Sequence, residues 1–166
     1  MNKVFFYIVL SFFASCSPVK YFIVRHAEKA TQGTNMSSDV PLSDKGKQRA
    51  VALKELLKRE NIGYVYSTNT NRTRTTAAPV AEYFSLPVQI YDPMPKDSFI
   101  IQLKSLKKNT LIVGHSNTVD DIVNKLCGEV KVTKDLPDSV YNNLYIITRK
   151  GSKMIFANKK YGVTVN

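Results

Sequence analysis

A three-layer α/β fold, in which helices flank a mostly parallel sheet, is what this sequence predicts, and three observations carry the prediction. Short continuous apolar runs such as Tyr21-Phe22-Ile23-Val24 and Thr110-Leu111-Ile112-Val113 read as strands covered on both faces. Between the runs, apolar residues recur at helical spacing, so strands and helices alternate along the chain. The 166 residues, 43% hydrophobic and 22% charged, can fill one substantial core and are too few for two ordinary domains.

The elements follow in order from about residue 21. The run Tyr21–Val24 predicts the first strand, and residues 30–40, rich in Thr, Ser, Asn and Gly, predict a loop. Ser43 reads as an N-cap for a helix carrying Ala50, Leu53, Leu56 and Leu57 on one face through about Glu60. Gly63-Tyr64-Val65-Tyr66 predicts a second strand. Residues 75–84 predict a helix with Ala77, Val80, Ala81 and Phe84 inward, and Pro87 to Tyr91 a third strand at a sheet edge. A helix from Phe99 leads to the strand 110–113. Val119, Ile122, Val123 and Leu126 then mark an amphipathic helix. Residues 143–148 and 153–158, on either side of Lys150-Gly151, predict a closing hairpin.

The first fifteen residues stand apart. Lys3 precedes an apolar run, Val4 to Phe13, that is too short to span a bilayer but suits the core of a secretory signal. It ends in Phe13-Ala14-Ser15-Cys16, which resembles a bacterial lipobox with Phe13 where Leu is usual. The organisation implied is a leader over 1–15, a tether over 16–20 and one domain over 21–166. Cys16 would be the lipid attachment site, and the protein would be anchored outside the cytoplasm in a bacterial cell envelope. Cys127 is then left without a disulfide partner and reads as a small buried hydrophobe.

The net charge of +11, from 24 Lys and Arg against 13 Asp and Glu, favours anionic partners: nucleic acid, an anionic membrane surface or phosphorylated small molecules. The lysines are scattered in ones and twos (Lys45, Lys47, Lys54, Lys58, Lys107, Lys108, Lys159, Lys160), with no dense basic run and no RNA-binding motif. That argues against nucleic acid and is equally what solvated helix faces look like. Two histidines and one remaining cysteine offer no metal-ligand spacing, so neither a metal nor a cofactor is expected.

Three segments fall at the carboxyl ends of predicted strands, where open α/β sheets bind ligands. Arg25-His26 follows the first strand, Arg72 and Arg74 follow the second after Ser67-Thr68-Asn69-Thr70, and Gly114-His115-Ser116 follows the fourth. Both histidines of the chain stand in this position. Neutral imidazole is a nucleophile near neutral pH, and guanidinium groups bind phosphoryl oxygens in pairs. His26, Arg25, Arg72 and His115 therefore predict a phosphate pocket. Arg74 reads as facing solvent or pairing with an acid, and Asn117 either as touching the site or, more simply, as a cap for the helix beginning at Thr118. The tyrosines, Tyr141 and Tyr145 among them, read as ordinary core or rim aromatics.

The same residues resemble a known family. Ile23-Val24-Arg25-His26-Ala27-Glu28-Lys29 resembles the Arg-His-Gly signature of the histidine phosphatase superfamily, the phosphoglycerate mutase-like proteins, with Ala27 where Gly is commonest. Pro41 to Ala50, Tyr66 to Ala77 and Val113 to Thr118 resemble its later blocks, in the family order. The resemblance implies the phosphoglycerate mutase-like fold and a phosphatase in which His26 attacks phosphorus, forming a phosphohistidine that water hydrolyses. Arg25, Arg72 and His115 would hold the phosphoryl group. It also implies a carboxylic proton donor, for which Asp92 before Pro93 is the first candidate; Asp97 reads equally as a helix cap, and Glu28 is a third. Small members can lack this acid and act on good leaving groups such as phosphohistidine. The chain has little room for the insertions that enclose substrates in larger relatives, so mutase activity is not expected. Two other readings stay open: a non-catalytic envelope lipoprotein that binds a phosphorylated ligand, and a structural lipoprotein on anionic envelope polymers.

Overall fold

The computed structural model describes residues 17–31 and 39–162. The apolar leader, Cys16 and most of the predicted 30–40 loop lie outside those residues. Among the described residues, six strands form one sheet. β1 (Val19–Arg25), β2 (Ile62–Ser67), β3 (Val88–Ile90) and β4 (Asn109–Gly114) are parallel, while β5 (Asn143–Lys150) and β6 (Lys153–Lys160) form an antiparallel hairpin on one side. The order across the sheet is β3-β2-β4-β1-β5-β6, which puts the short third strand at an edge as expected. β1 starts at Val19, two residues before the predicted domain start, because Val19 and Lys20 already pair with Arg149 and Thr148.

Strand alternation divides the core into two layers. Tyr21 and Ile23, Ile112, and Tyr145 and Ile147 face one side and pack with α3 (Asp97–Ser105) and α4 (Val119–Cys127). Phe22 and Val24, Leu111 and Val113, and Leu144 face the other, against α1 (Asp44–Leu57) and α2 (Asn71–Tyr83). The predicted three layers are present.

The helix starts position the site. Ser43 caps α1, its hydroxyl accepting from Gly46 N–H at 3.1 Å. The helix lies so close to β1's exit that a Cβ on Gly46 would sit 2.1 Å from the Glu28 carbonyl oxygen, so only glycine fits there. The Ala27 methyl fills a small apolar contact with Leu42 and Ala50, so the departure from Gly is absorbed by packing. Leu56 is 48% exposed, off the inward face predicted for it. α2 begins at Asn71 rather than Thr75, since Thr70 and Thr73 satisfy each other in a capping box. Arg72 therefore stands in the first helical turn. α3 likewise starts earlier than Phe99, with Lys96 in the cap position. Asp97 is not the cap but a first-turn residue paired with Lys125 at 2.9 Å. Thr118, not Asn117, occupies the cap of α4. Cys127 is a free, half-buried thiol packed on the α3/α4 core.

Candidate active site

Three adjacent strands end level with one another. Arg25 is opposite Gly114, and Val113 is opposite Ser67. The pairing runs one bond further: His26 N–H donates to the Gly114 carbonyl at 2.9 Å, and Thr68 N–H to the Val113 carbonyl at 3.3 Å. The chains leaving β1, β4 and β2 thus open on one hollow. Arg25, His26, Arg72 and His115 all line a single cavity of about 350 Å³, together with Lys29, Ser116, Asn117 and Asp138. The two imidazole centroids are 5.6 Å apart. The four residues that the sequence singled out are brought together.

His26 is buried, 4% exposed. Its Nδ1 stands 2.8 Å from the Ala27 carbonyl oxygen, which can only accept, so Nδ1 carries the proton and Nε2 keeps the lone pair. Burial, reinforced by the charges of Arg25 and Arg72 and opposed by the Ala27 carbonyl, holds its pKa down to about 3. The ring is neutral throughout the physiological range. His115 is held down to about 4, by burial first and then by Arg72 and Arg25. Its Nδ1 lies 3.5 Å from Arg72 Nη2, a donor only, and its Nε2 lies 2.9 Å from Thr68 Oγ1. Thr68 gives its own proton to Thr73 Oγ1 at 3.0 Å, which leaves it to accept from Nε2–H.

Arg25 is gripped by the segment 137–141. Nη1 donates to the carbonyls of Pro137 at 2.9 Å and Val140 at 3.2 Å, and Nη2 to Asp138 Oδ1 at 2.9 Å. The Tyr141 ring lies 4.4 Å from the guanidinium carbon and 5.9 Å from the His26 ring. Nε–H, by contrast, is buried and meets no acceptor among the described residues. An unsatisfied buried donor costs on the order of 1–3 kcal/mol. An anion in the hollow would recover that cost. Arg72 is 3.9 Å from Asp39, whose carboxylate also accepts from the Asn71 N–H at 2.7 Å and so steadies the first turn of α2.

The predicted acids fare differently. Asp92 is outside the hollow: its Oδ1 accepts from Met94 N–H at 2.9 Å in a turn, and it lines a neighbouring cleft with Tyr91 and Phe99. Glu28 is engaged by Arg49 in a two-armed pair at 2.8 and 2.6 Å. Burial alone would raise its pKa, but the Arg49 hydrogen bonds prevail and hold it below the usual carboxylate range. Asp138, which sequence reasoning missed, is the one carboxylate among the described residues lining the hollow. Thr68, Asp39 and Tyr141 were missed too. Thr68 was visible as part of the turn after β2, but nothing in the sequence tied Asp138 or Tyr141 to a strand end. Arg74 is exposed, as expected, and Asn117 lines the hollow rather than capping a helix.

A cationic hollow of this size at parallel strand ends, lined by two neutral imidazoles and two guanidinium groups, suits a phosphate-type anion in an α/β fold. Comparison with known proteins agrees. Residues 21–94 match the family model of the histidine phosphatase superfamily (branch 1). Phosphoserine phosphatase 1 of Hydrogenobacter thermophilus is 37% identical over 73 residues, a match covering 42% of this chain and 35% of that protein. The chain thus spans about a third of the curated relative it matches. Among solved structures, the protein histidine phosphatase SixA complexed with tungstate superimposes with a TM-score of 0.69 at 20% identity, covering 86% of this chain and 97% of that one. A mycobacterial glucosyl-3-phosphoglycerate phosphatase gives 0.62 at 12% identity, covering 89% and 100%. Over residues 21–94 the chain is thus similar to the histidine phosphatase superfamily, and the solved structures share its fold.

Proposed function

We propose that this chain is a phosphatase that works through a phosphohistidine on His26. Support comes above all from the hydrogen-bond state of that residue: Nδ1–H is spent on the Ala27 carbonyl, which leaves the Nε2 lone pair as the group able to attack. Nε2 forms a bond to phosphorus as the bond to the leaving oxygen or nitrogen breaks, and the leaving group carries away the electron pair. Water then attacks phospho-His26, releasing phosphate and restoring the neutral ring. Arg25 through its unpartnered Nε–H and Arg72 hold the phosphoryl oxygens in both steps, and His115 joins them when its Nε2–H turns from Thr68 to a phosphoryl oxygen.

The substrate reading follows from the acids. Asp138 is tied to Arg25. Asp92 and Glu28 are engaged elsewhere. Substrates that leave without strong protonation fit best: a phosphoramidate such as phosphohistidine, or an activated phosphomonoester. The hollow is open and short, with Pro93 and Met94 on one side.

We further propose that Cys16 carries a lipid and that the domain acts outside the cytoplasm in a bacterial envelope. No helix among the described residues is long and apolar enough to cross a membrane, so an attachment would come through the segment before residue 17. Mass spectrometry of the mature N-terminus tests this: a Cys16 that starts the chain and carries acyl groups supports it, and an unmodified Cys16 sinks it.

The catalytic reading is tested by rapid quench with labelled p-nitrophenyl phosphate and peptide mapping. Label on His26 that is stable in base and lost in acid is expected. Tight phosphate binding with neither turnover nor label would instead favour the non-catalytic ligand-binding protein.

A further inference from the structure

The lysines that look scattered along the sequence are gathered by the topology. β2, β4 and β1 all start at the end of the sheet opposite the hollow, and the β5–β6 turn closes at that same end, since Val19 pairs with Arg149 and Lys150 with Lys153. Three connections arriving there bring cations, the one to edge strand β3 bringing none: Arg59 before β2, Lys107 and Lys108 before β4, Lys150 and Lys153 around the turn. All five are exposed, and none has an ion-pair partner among the described residues. Lys108 lies flat on the start of β2, its methylenes against the Gly63 backbone, where a Cβ would be 2.4 Å away. Glu60, the carboxylate in these segments, is taken by Lys20 at 2.7 Å. Neighbouring strands are ~4.8 Å apart, so the row from β2 to β6 is about 20 Å long.

The chain also enters the fold here. Ser17 and Pro18 are exposed and Val19 begins β1, so Cys16 is within three residues, about 10 Å of extended chain, of the cationic row. We infer that this amino-end face is a docking surface for an anionic phospholipid bilayer, which orients the domain with its hollow pointing away from the lipid. The inference deepens the anchoring reading but rests on the charges. A flexible lipid tether leaves the domain free to tumble, and a basic face is the kind of second contact that would orient it. Each Lys near an anionic membrane contributes a factor of about five in binding.

The test is sedimentation of the full chain with vesicles of phosphatidylcholine alone or of equimolar phosphatidylcholine and phosphatidylglycerol. Four variants are compared: wild type, Cys16→Ser, the fourfold change Lys107→Gln, Lys108→Gln, Lys150→Gln, Lys153→Gln, and the same four positions changed to Arg. Expected is a preference for phosphatidylglycerol that added salt erodes, that falls about 10²–10³-fold in the Gln variant and that survives in the Arg variant. Turnover of p-nitrophenyl phosphate in solution stays unchanged in both and shows that they are folded. Cys16→Ser separates the two readings: loss of binding to neutral vesicles reports on the lipid, while a retained phosphatidylglycerol preference reports on the face. A preference untouched by the Gln variant overturns the inference. So does binding to a soluble polyphosphate with no gain from phosphatidylglycerol, which assigns the face to a polymer.

Discussion

The two ends of the sheet hold positive charge in opposite ways. At the carboxyl end, Arg25 and Arg72 are drawn in among carbonyls, carboxylates and rings, so each guanidinium has a fixed direction. At the amino end, Lys107, Lys108, Lys150 and Lys153 are exposed, with no ion-pair partner among the described residues. Enclosed cations act on a particular phosphorus at hydrogen-bond range. Exposed ones act on any extended anion, through a field that salt screens within about 10 Å. Both kinds add to the same net charge, which is why composition alone could not separate them.

The contrast can be broken most sharply at its enclosed end. His26→Ala should lower kcat by at least about 10³-fold, measured on p-nitrophenyl phosphate, since it removes the proposed nucleophile. Arg72→Lys keeps the charge and loses the fork, and should lower kcat/KM about 10²-fold. Glu28→Gln leaves Arg49 without its counter-ion under the loop that follows His26, and should cost about 3 kcal/mol in a urea titration.

Acid should separate the ends as well. The folded pKa values of His26 and His115 lie at about 3 and about 4, below the ordinary ~6.5 of an unfolded chain. Below that ordinary value the unfolded chain binds protons that the folded one refuses. Stability is therefore fully present above pH ~6.5 and falls as pH drops toward 4, by about 1.4 kcal/mol per pH unit for each histidine. In His26→Asn, urea midpoints should fall less steeply over that range; an unchanged slope would mean the ring is not buried neutral. A smaller effect is expected at the rim. Asp138→Asn removes an anion that competes with phosphate for Arg25, so KM and the inhibition constant of inorganic phosphate should drop a few-fold with kcat nearly constant. If Asp138 instead donated the leaving-group proton, kcat on alkyl phosphates would collapse while the nitrophenyl ester was spared. At the exposed end, Lys150→Gln should change stability by no more than about 0.5 kcal/mol.

The fold was legible because its signals are local. Continuous apolar runs mark β1 and β4, a four-residue apolar stripe marks α4, and Lys150-Gly151 marks the hairpin. Helix starts were less so, since the capping of α2 by Thr70 and Thr73 depends on a reciprocal hydrogen bond rather than on periodicity. Of the site, the residues immediately after strands were readable and those that hold them were not. His26 and His115 are placed by strand ends, whereas Asp138 and Tyr141 reach Arg25 across more than a hundred residues of chain, from a loop with no pattern of its own. The same limit hid the basic face, which exists only once three connections converge.

β1 also works as a ruler. Its seven residues, at ~3.3 Å each, separate the point where the chain enters the fold from the nucleophile by about 23 Å. With the amino end seated on a bilayer, the mouth of the hollow stands roughly 2 nm clear of the headgroups. Phosphates belonging to the membrane itself would be out of reach, and the accessible ones would be those carried past in solution or held up on another protein at a matching height.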